Sequence, residues 1–239
     1  LEPELQALEL RQLLDRVETW CESEYYVALG KGDRLEEEDR NKTAKQLARY
    51  TGLDLQYVLG TNLRINIHRF CKELVREEKR SVGRLDSRFK GIEAIAVSEV
   101  PEFDPAMLAI LPPYTATFND YVRAKLGIET DLTYEALSFN VNKNWSWEKG
   151  KLPNTTEALR SAIAKNPFTK IFVGQGYYDL ATPHFATEYM ITHMNIDPEL
   201  RKNLNIVYYD AGHMFYLDIQ SLAQHKTDIE DFIESSISK

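Results

Sequence analysis

Lys170-Ile171-Phe172-Val173-Gly174-Gln175-Gly176-Tyr177-Tyr178-Asp179-Leu180-Ala181-Thr182-Pro183 is the stretch whose reading decides the fold. Its first five residues make a short, nearly continuous apolar run, the pattern of a strand covered on both faces in a parallel sheet. Thr182-Pro183 then opens a helix that runs through Met190. A second run, Asn205-Ile206-Val207-Tyr208-Tyr209, repeats the strand signal and leads into Asp210-Ala211-Gly212-His213-Met214. Upstream, Asn154 followed by Glu157 resembles a capping box for a helix ending at Asn166-Pro167. Downstream, Ser221 to Ser235 reads as a closing amphipathic helix with Leu222, Ile229, Phe232 and Ile233 facing inward. Strand and helix alternate from Asn154 onward, which predicts an α/β fold with parallel strands.

In open parallel sheets, working residues come from loops at the carboxyl ends of strands. Asp179 follows the first strand and His213 the second, so both loops open at one sheet edge. A carboxylate there accepts the imidazole Nδ1 proton and leaves Nε2 to deprotonate a hydroxyl nucleophile. The plain alternative is a satisfied loop aspartate and a solvent-facing histidine. The chain order, Asp before His, is that of the α/β-hydrolases, in which a serine comes first. No Gly-x-Ser-x-Gly elbow occurs in the chain. Ser87 is flanked by long side chains where an elbow needs small ones, and Ser138 and Ser146 precede no evident helix-opening turn. His184, His193, His213 and His225 lack the spacing of a zinc helix and have no cysteine pair to join them, so no metal and no cofactor are expected. His68, His184, His193 and His225 read as surface or helix-face residues.

Working outward to the N-terminal side, the grammar is helical and charged. Leu5, Leu8, Leu13, Leu14, Val17, Trp20, Cys21 and Tyr25 recur at three- and four-residue steps, predicting one long amphipathic helix that ends near Gly30-Lys31-Gly32. A second helix runs from about Leu35 to a stop at Gly52, Asp54 caps a third, and Ile67, Phe70, Cys71, Leu74 and Val75 mark a fourth. Residues 81–91 read as an extended excursion with Val82, Arg84, Asp86 and Arg88 on one alternation phase. A self-paired surface strand explains those charges better than substrate contact. Pro101, Pro105, Pro112 and Pro113 punctuate the chain, and a helix from about Tyr114 to Leu126 is expected to bury Phe118, Tyr121, Val122 and Leu126. Trp145 and Trp147, in an aromatic and Asn-rich segment, read as packing residues rather than as the lining of a site.

The 239 residues carry a formal charge of −8 with 43% hydrophobic residues, enough for a substantial core. The acidic balance argues against nucleic acid, which needs a concentrated basic surface. No run reaches the roughly 18 to 20 apolar residues of a membrane span, and Leu1-Glu2-Pro3-Glu4-Leu5 has neither an initiator Met nor a signal peptide's character. A processed product or a piece of a longer protein fits that start. Cys21 and Cys71 read as two buried helix cysteines, with a single bridge as the alternative. The Asn-x-Ser/Thr triplets at Asn41, Asn144 and Asn154 carry little weight.

Three segments together resemble the bacterial branch of the serine carboxypeptidase family: Gly176-Tyr177-Tyr178-Asp179-Leu180-Ala181-Thr182-Pro183, Tyr208-Tyr209-Asp210-Ala211-Gly212-His213-Met214 and Val82-Gly83-Arg84-Leu85-Asp86-Ser87-Arg88-Phe89. The resemblance extends over nearly the whole chain. It implies the C-terminal portion of an α/β-hydrolase parallel sheet, helix-rich overall, with a helical cap over residues 1–150 and core over 151–239. Asp179 matches the triad Asp, His213 the triad His, and Met214 a position beside the substrate. The implied activity is removal of C-terminal residues from peptides through an acyl-enzyme, in a secreted or periplasmic parent. The family's Gly-Glu-Ser-Tyr-Gly elbow has no counterpart here, so the chain alone is expected to be inert. Its strand at residues 170–174 should expose an apolar edge, covered by the N-terminal part of the same hydrolase or by a second copy. The alternatives are a non-catalytic interaction module and a fragment of another α/β-hydrolase such as an esterase.

Overall fold

The computed structural model describes residues 3–146 and 154–237. The chain divides into two compact units, one of Leu1–Val82 with Gly91–Glu102 and the other of Gly83–Lys90 with Phe103–Lys239. The sequence boundary near residue 150 and Trp147 both lie outside the described residues.

The described residues of the first unit form six α-helices: α1 (Pro3–Gln6), α2 (Leu10–Trp20), α3 (Tyr26–Lys31), α4 (Glu37–Thr51), α5 (Leu55–Gly60) and α6 (Ile67–Glu73). The long helix expected from Leu5 to near Gly30 is a continuous helical run from Leu10 to Lys31, with a π-helical turn over Cys21–Tyr25, and only α1 stands apart ahead of it. The hydroxyls of Thr19 and Ser23 each bond a carbonyl four residues back, at 2.7 Å, and compete with the backbone ladder at that turn. Gly52 ends α4 in the left-handed region at φ 74°, donating to Ala48 O at 2.8 Å. Asp54 Oδ1 accepts the Tyr57 N–H at 3.0 Å and starts α5. Trp20, Ala44, Leu47, Leu53, Val58 and Leu63 close around one another as the core of this unit. Cys21 is half-buried and Cys71 buried, and both are thiols.

Two short strands, β1 (Arg80–Val82) and β2 (Lys90–Ile92), pair as a two-stranded sheet. The extended excursion predicted between them is a compact loop instead. Asp86 Oδ1 accepts the Arg88 N–H at 3.0 Å, which turns the backbone and breaks the alternation of Arg84, Asp86 and Arg88.

In the second unit α7 (Pro105–Asp120) begins nine residues ahead of Tyr114. Asp104 caps it by accepting the N–H groups of Ala106 at 2.9 Å and Met107 at 3.4 Å, and Pro105 takes the first helical position. Pro112 and Pro113 lie inside this helix rather than breaking the chain. Phe118, Tyr121 and Leu126, expected inside, are exposed, and only Val122 is half-covered. Phe118 stacks on Tyr134 with ring centroids 4.1 Å apart. Ser138 directly precedes α8 (Phe139–Asn144), so it does stand at a helix start, contrary to the sequence reading. Trp145 is exposed.

The remaining elements are α9 (Thr156–Lys165), β3 (Ile171–Gly176), α10 (His184–Thr192), α11 (Pro198–Arg201), β4 (Leu204–Tyr209) and α12 (Ile219–Ile237). Asn154 Oδ1 accepts the Thr156 N–H at 2.9 Å, while Glu157 pairs with Arg160 rather than closing a capping box. β3 and β4 pair in parallel, Ile171 opposite Leu204 through Gly176 opposite Tyr209. Ile163, Ile191, Met194 and Leu204 form the core against which the pair packs. The apolar run predicts a β3 covered on both faces, yet Ile171 to Gln175 are only half-buried, because β4 is its sole strand neighbour among the described residues. Leu222 and Ile233 of α12, expected to face inward, are exposed. His184, expected as a surface or helix-face residue, is the first residue of α10 and is buried, edge-on to Tyr177 at 5.3 Å and Tyr208 at 6.0 Å. The described residues are thus helix-rich with one small parallel sheet, and none of their helices is long and apolar enough to cross a membrane.

Candidate functional site

The parallel pairing of β3 and β4 brings the loops that follow them to one edge. Their approach is close. A Cβ on Gly176, at the end of β3, would run into the carbonyl oxygens of Ala211 and Gly212. A Cβ on Gly212 would strike Asp86 and the Leu85 carbonyl. These two positions accept no side chain without moving backbone, and the loops meet because both are glycine.

At that edge His213 Nδ1 lies 2.8 Å from Asp179 Oδ2. Asp179 is buried, and its carboxylate is fully occupied. Oδ1 accepts the N–H groups of Ala181 at 2.7 Å and Thr182 at 3.0 Å, and Oδ2 also accepts the Thr182 hydroxyl at 2.5 Å. Burial alone pushes this carboxyl up, and the donors from Thr182, His213 and Ala181 more than offset it, holding the group below the usual carboxylate range. An ionised carboxylate can only accept, so the Nδ1 that faces it carries the proton, and in the neutral imidazole the lone pair is on Nε2. The imidazole is reachable, with 42% of its side-chain surface open. Thr182 Oγ1 stands 3.3 Å from the same Nδ1.

A third segment, residues 84–88, frames both loops from outside. Leu85 O accepts the His213 N–H at 2.7 Å, and Arg84 O accepts the Leu180 N–H at 2.9 Å. The Ser87 N–H in turn donates to Tyr178 O at 3.0 Å. Asp104 Oδ2 fixes this segment by accepting the N–H groups of Arg84 and Leu85, both at 3.1 Å. Arg88 is forked onto Asp86 through Nε at 3.0 Å and Nη2 at 2.8 Å, donates from Nη1 to Asp210 O at 2.9 Å, and lies 4.6 Å from the Tyr178 ring centre. Residues that sequence reasoning assigned to a surface strand are therefore the brace of the site.

Beside it lies a cleft of about 180 Å³ whose wall includes Leu85, Asp86, Arg88, Met214, Leu217 and Asp218. Met214 places this cleft next to His213 in the chain. Asp179 and His213 themselves do not line it.

The structure thus brings together Asp179 and His213 and puts Met214 in an adjoining wall. It adds Thr182, Arg88 and the 84–85 backbone, which the sequence reading did not assign to the site. Thr182 carried a usable signal, since an aspartate followed three residues on by threonine ahead of a helix is a side-chain-to-backbone bonding pattern. Nothing local marked Leu85, whose contribution is a carbonyl. Among the described residues no serine or cysteine is hydrogen-bonded to His213. Comparison with family models, curated proteins and solved structures gives no match for this chain.

Proposed function

We propose that the chain provides the acid–base half of a serine-type carboxypeptidase: the cap and last core strands of an α/β-hydrolase, with Asp179 as the orienting carboxylate and His213 as the base. The observation that carries this reading is the 2.8 Å contact between an ionised, fully bonded Asp179 and an accessible His213, set at neighbouring carboxyl ends of parallel strands. The nucleophilic serine comes from upstream polypeptide. Its hydroxyl proton passes to His213 Nε2 as the oxygen attacks the peptide carbonyl. The imidazolium, stabilised by Asp179, then protonates the departing amine, and water releases the acyl group by the same route in reverse. Asp179 stays ionised throughout, in keeping with its depressed affinity for protons. Met214 and the adjoining cleft face the substrate in this reading, and the parent enzyme of this chain is secreted or periplasmic. The half-covered β3 fits a sheet completed by the N-terminal part of the same hydrolase, with a second copy of the chain as the other occupant of that edge.

The test is to supply the chain with upstream polypeptide carrying a Gly-Glu-Ser-Tyr-Gly segment and to assay blocked dipeptides beside simple esters. Release of the C-terminal amino acid from the dipeptides supports the carboxypeptidase. Turnover of esters alone assigns another α/β-hydrolase, and failure of both with a stable assembly leaves an interaction module.

A further inference from the structure

We propose that the cleft between Arg40 and Arg64, in the first unit, is a binding site for a phosphate group. The cleft has a volume of about 390 Å³ and is walled by Leu29, Leu35 and Leu63 as well as by the two arginines. Neither guanidinium has a carboxylate partner among the described residues, although the chain is acidic overall. Both are instead aimed by neutral oxygens. Arg40 Nη2 donates to Asn62 Oδ1, Arg64 Nη1 to Asn62 O at 3.2 Å, and Arg64 Nη2 to Leu29 O at 3.1 Å. These bonds spend only part of the donors of each fork, and the remaining N–H groups stay available for an oxyanion.

The residue between the two forks is itself held in a costly conformation. Asn62 and Leu63 are consecutive residues in the left-handed region, at φ 52° and 63°, and Leu63 has neither glycine's freedom nor asparagine's side-chain compensation there. The strain is fixed by its surroundings: Leu63 is buried in the core, and its carbonyl accepts the Tyr25 hydroxyl at 2.5 Å. Backbone strain that poises two unpaired guanidiniums over one cleft is the arrangement found at ligand clamps. A phosphate, carrying about −1.5 to −2 charge near neutral pH and three acceptor oxygens, matches two forks better than a single carboxylate does. Asp33 also lines the cleft and opposes an anion, leaving one net positive charge from these three groups.

Calorimetric titration with inorganic phosphate and with glycerol 3-phosphate, at constant ionic strength set by chloride, tests the site on the whole chain. Saturable binding of phosphate is expected, weakened about tenfold by Arg40→Gln or Arg64→Gln and strengthened about threefold by Asp33→Asn. Tighter binding of the monoester marks a ligand whose organic part also contacts the cleft, and equal binding marks the free anion. Arg40→Lys keeps the charge without the fork, so it holds the test open if the glutamine variants fail to fold. Heat that does not saturate, or binding unchanged in Arg40→Lys and Arg64→Gln, overturns the proposal.

Discussion

Two buried carboxylates, one in each unit, show how the same chemistry is used in opposite ways. Glu93 faces Lys72, and neither side chain has any exposed surface. The Lys72 ammonium also donates to Ile95 O at 3.2 Å, and Glu93 Oε1 accepts the Glu102 N–H at 3.3 Å. Burial pushes the Glu93 carboxyl up, and Lys72 and the Glu102 amide help bring it below its ordinary value. The pair is closed on all sides and has nothing left to offer a ligand. Asp179 is equally well bonded, but its partner His213 is open to solvent. A carboxylate that stabilises an accessible, titratable group prepares chemistry, whereas one that is sealed with its cation fixes a segment in place.

The largest effect that could break this comparison is catalytic. In the complete hydrolase that the proposed function calls for, His213→Ala is expected to lower kcat by roughly four orders of magnitude or more, and Asp179→Asn by a smaller factor, since the oriented base is lost in one and misdirected in the other. Unfolding of the His213→Ala chain in urea should shift by no more than about 1 kcal/mol, because Asp179 keeps its other donors. Near-normal peptidase activity in either variant would remove His213 and Asp179 from the mechanism.

At the sealed pair the expectation is reversed, with a structural effect and no direct catalytic one. Lys72→Met strands a buried carboxylate and should cost about 3–5 kcal/mol, while Lys72→Met with Glu93→Leu, which removes both charges, should recover most of that loss. Denaturant midpoints of the wild type and the two variants make the measurement. If the double variant is as unstable as the single one, the segment around Glu93 depends on the ion pair's geometry and not merely on its neutrality.

The same contrast explains how much could be read in advance. The strands at 171–176 and 204–209, the cap at Asp54 and the stop at Gly52 are local events, governed by the apolar run, an aspartate oxygen or a left-handed glycine, and local events are legible in sequence. The meeting of Asp179 and His213 was accessible too, because strand ends in a parallel sheet point one way. What escaped depends on distant partners. Arg84, Asp86 and Arg88 alternate like a strand, but Asp86 bonds Arg88, and Asp104 anchors Arg84 and Leu85 from 20 and 19 residues away. His184 is polar enough to read as a surface or helix-face residue, but Tyr177 and Tyr208, arriving from two separate strand ends, meet it edge-on. Phe118, Tyr121 and Leu126 repeat at helical spacing whether or not anything covers them.

The smallest effect sharpens the comparison most finely, because it asks how much one hydroxyl contributes to keeping Asp179 ionised. Thr182→Val deletes the donor at 2.5 Å from Oδ2 and leaves the Thr182 N–H to Oδ1 in place, with nearly the same shape. The expected loss is about 1–2 kcal/mol at neutral pH. The sign with acid follows from linkage. Asp179 is held below its unfolded value in the fold, so its stabilisation is complete above the unfolded pKa of about 4 and disappears as pH falls through the lower folded value. Removing the hydroxyl raises the folded value toward the unfolded one. The gap between wild type and variant should therefore narrow steadily below about pH 4, measured by urea unfolding at several pH values. A gap that persists unchanged into strong acid would mean that Thr182 acts by packing, and that the remaining amide donors alone keep the carboxylate charged beside His213.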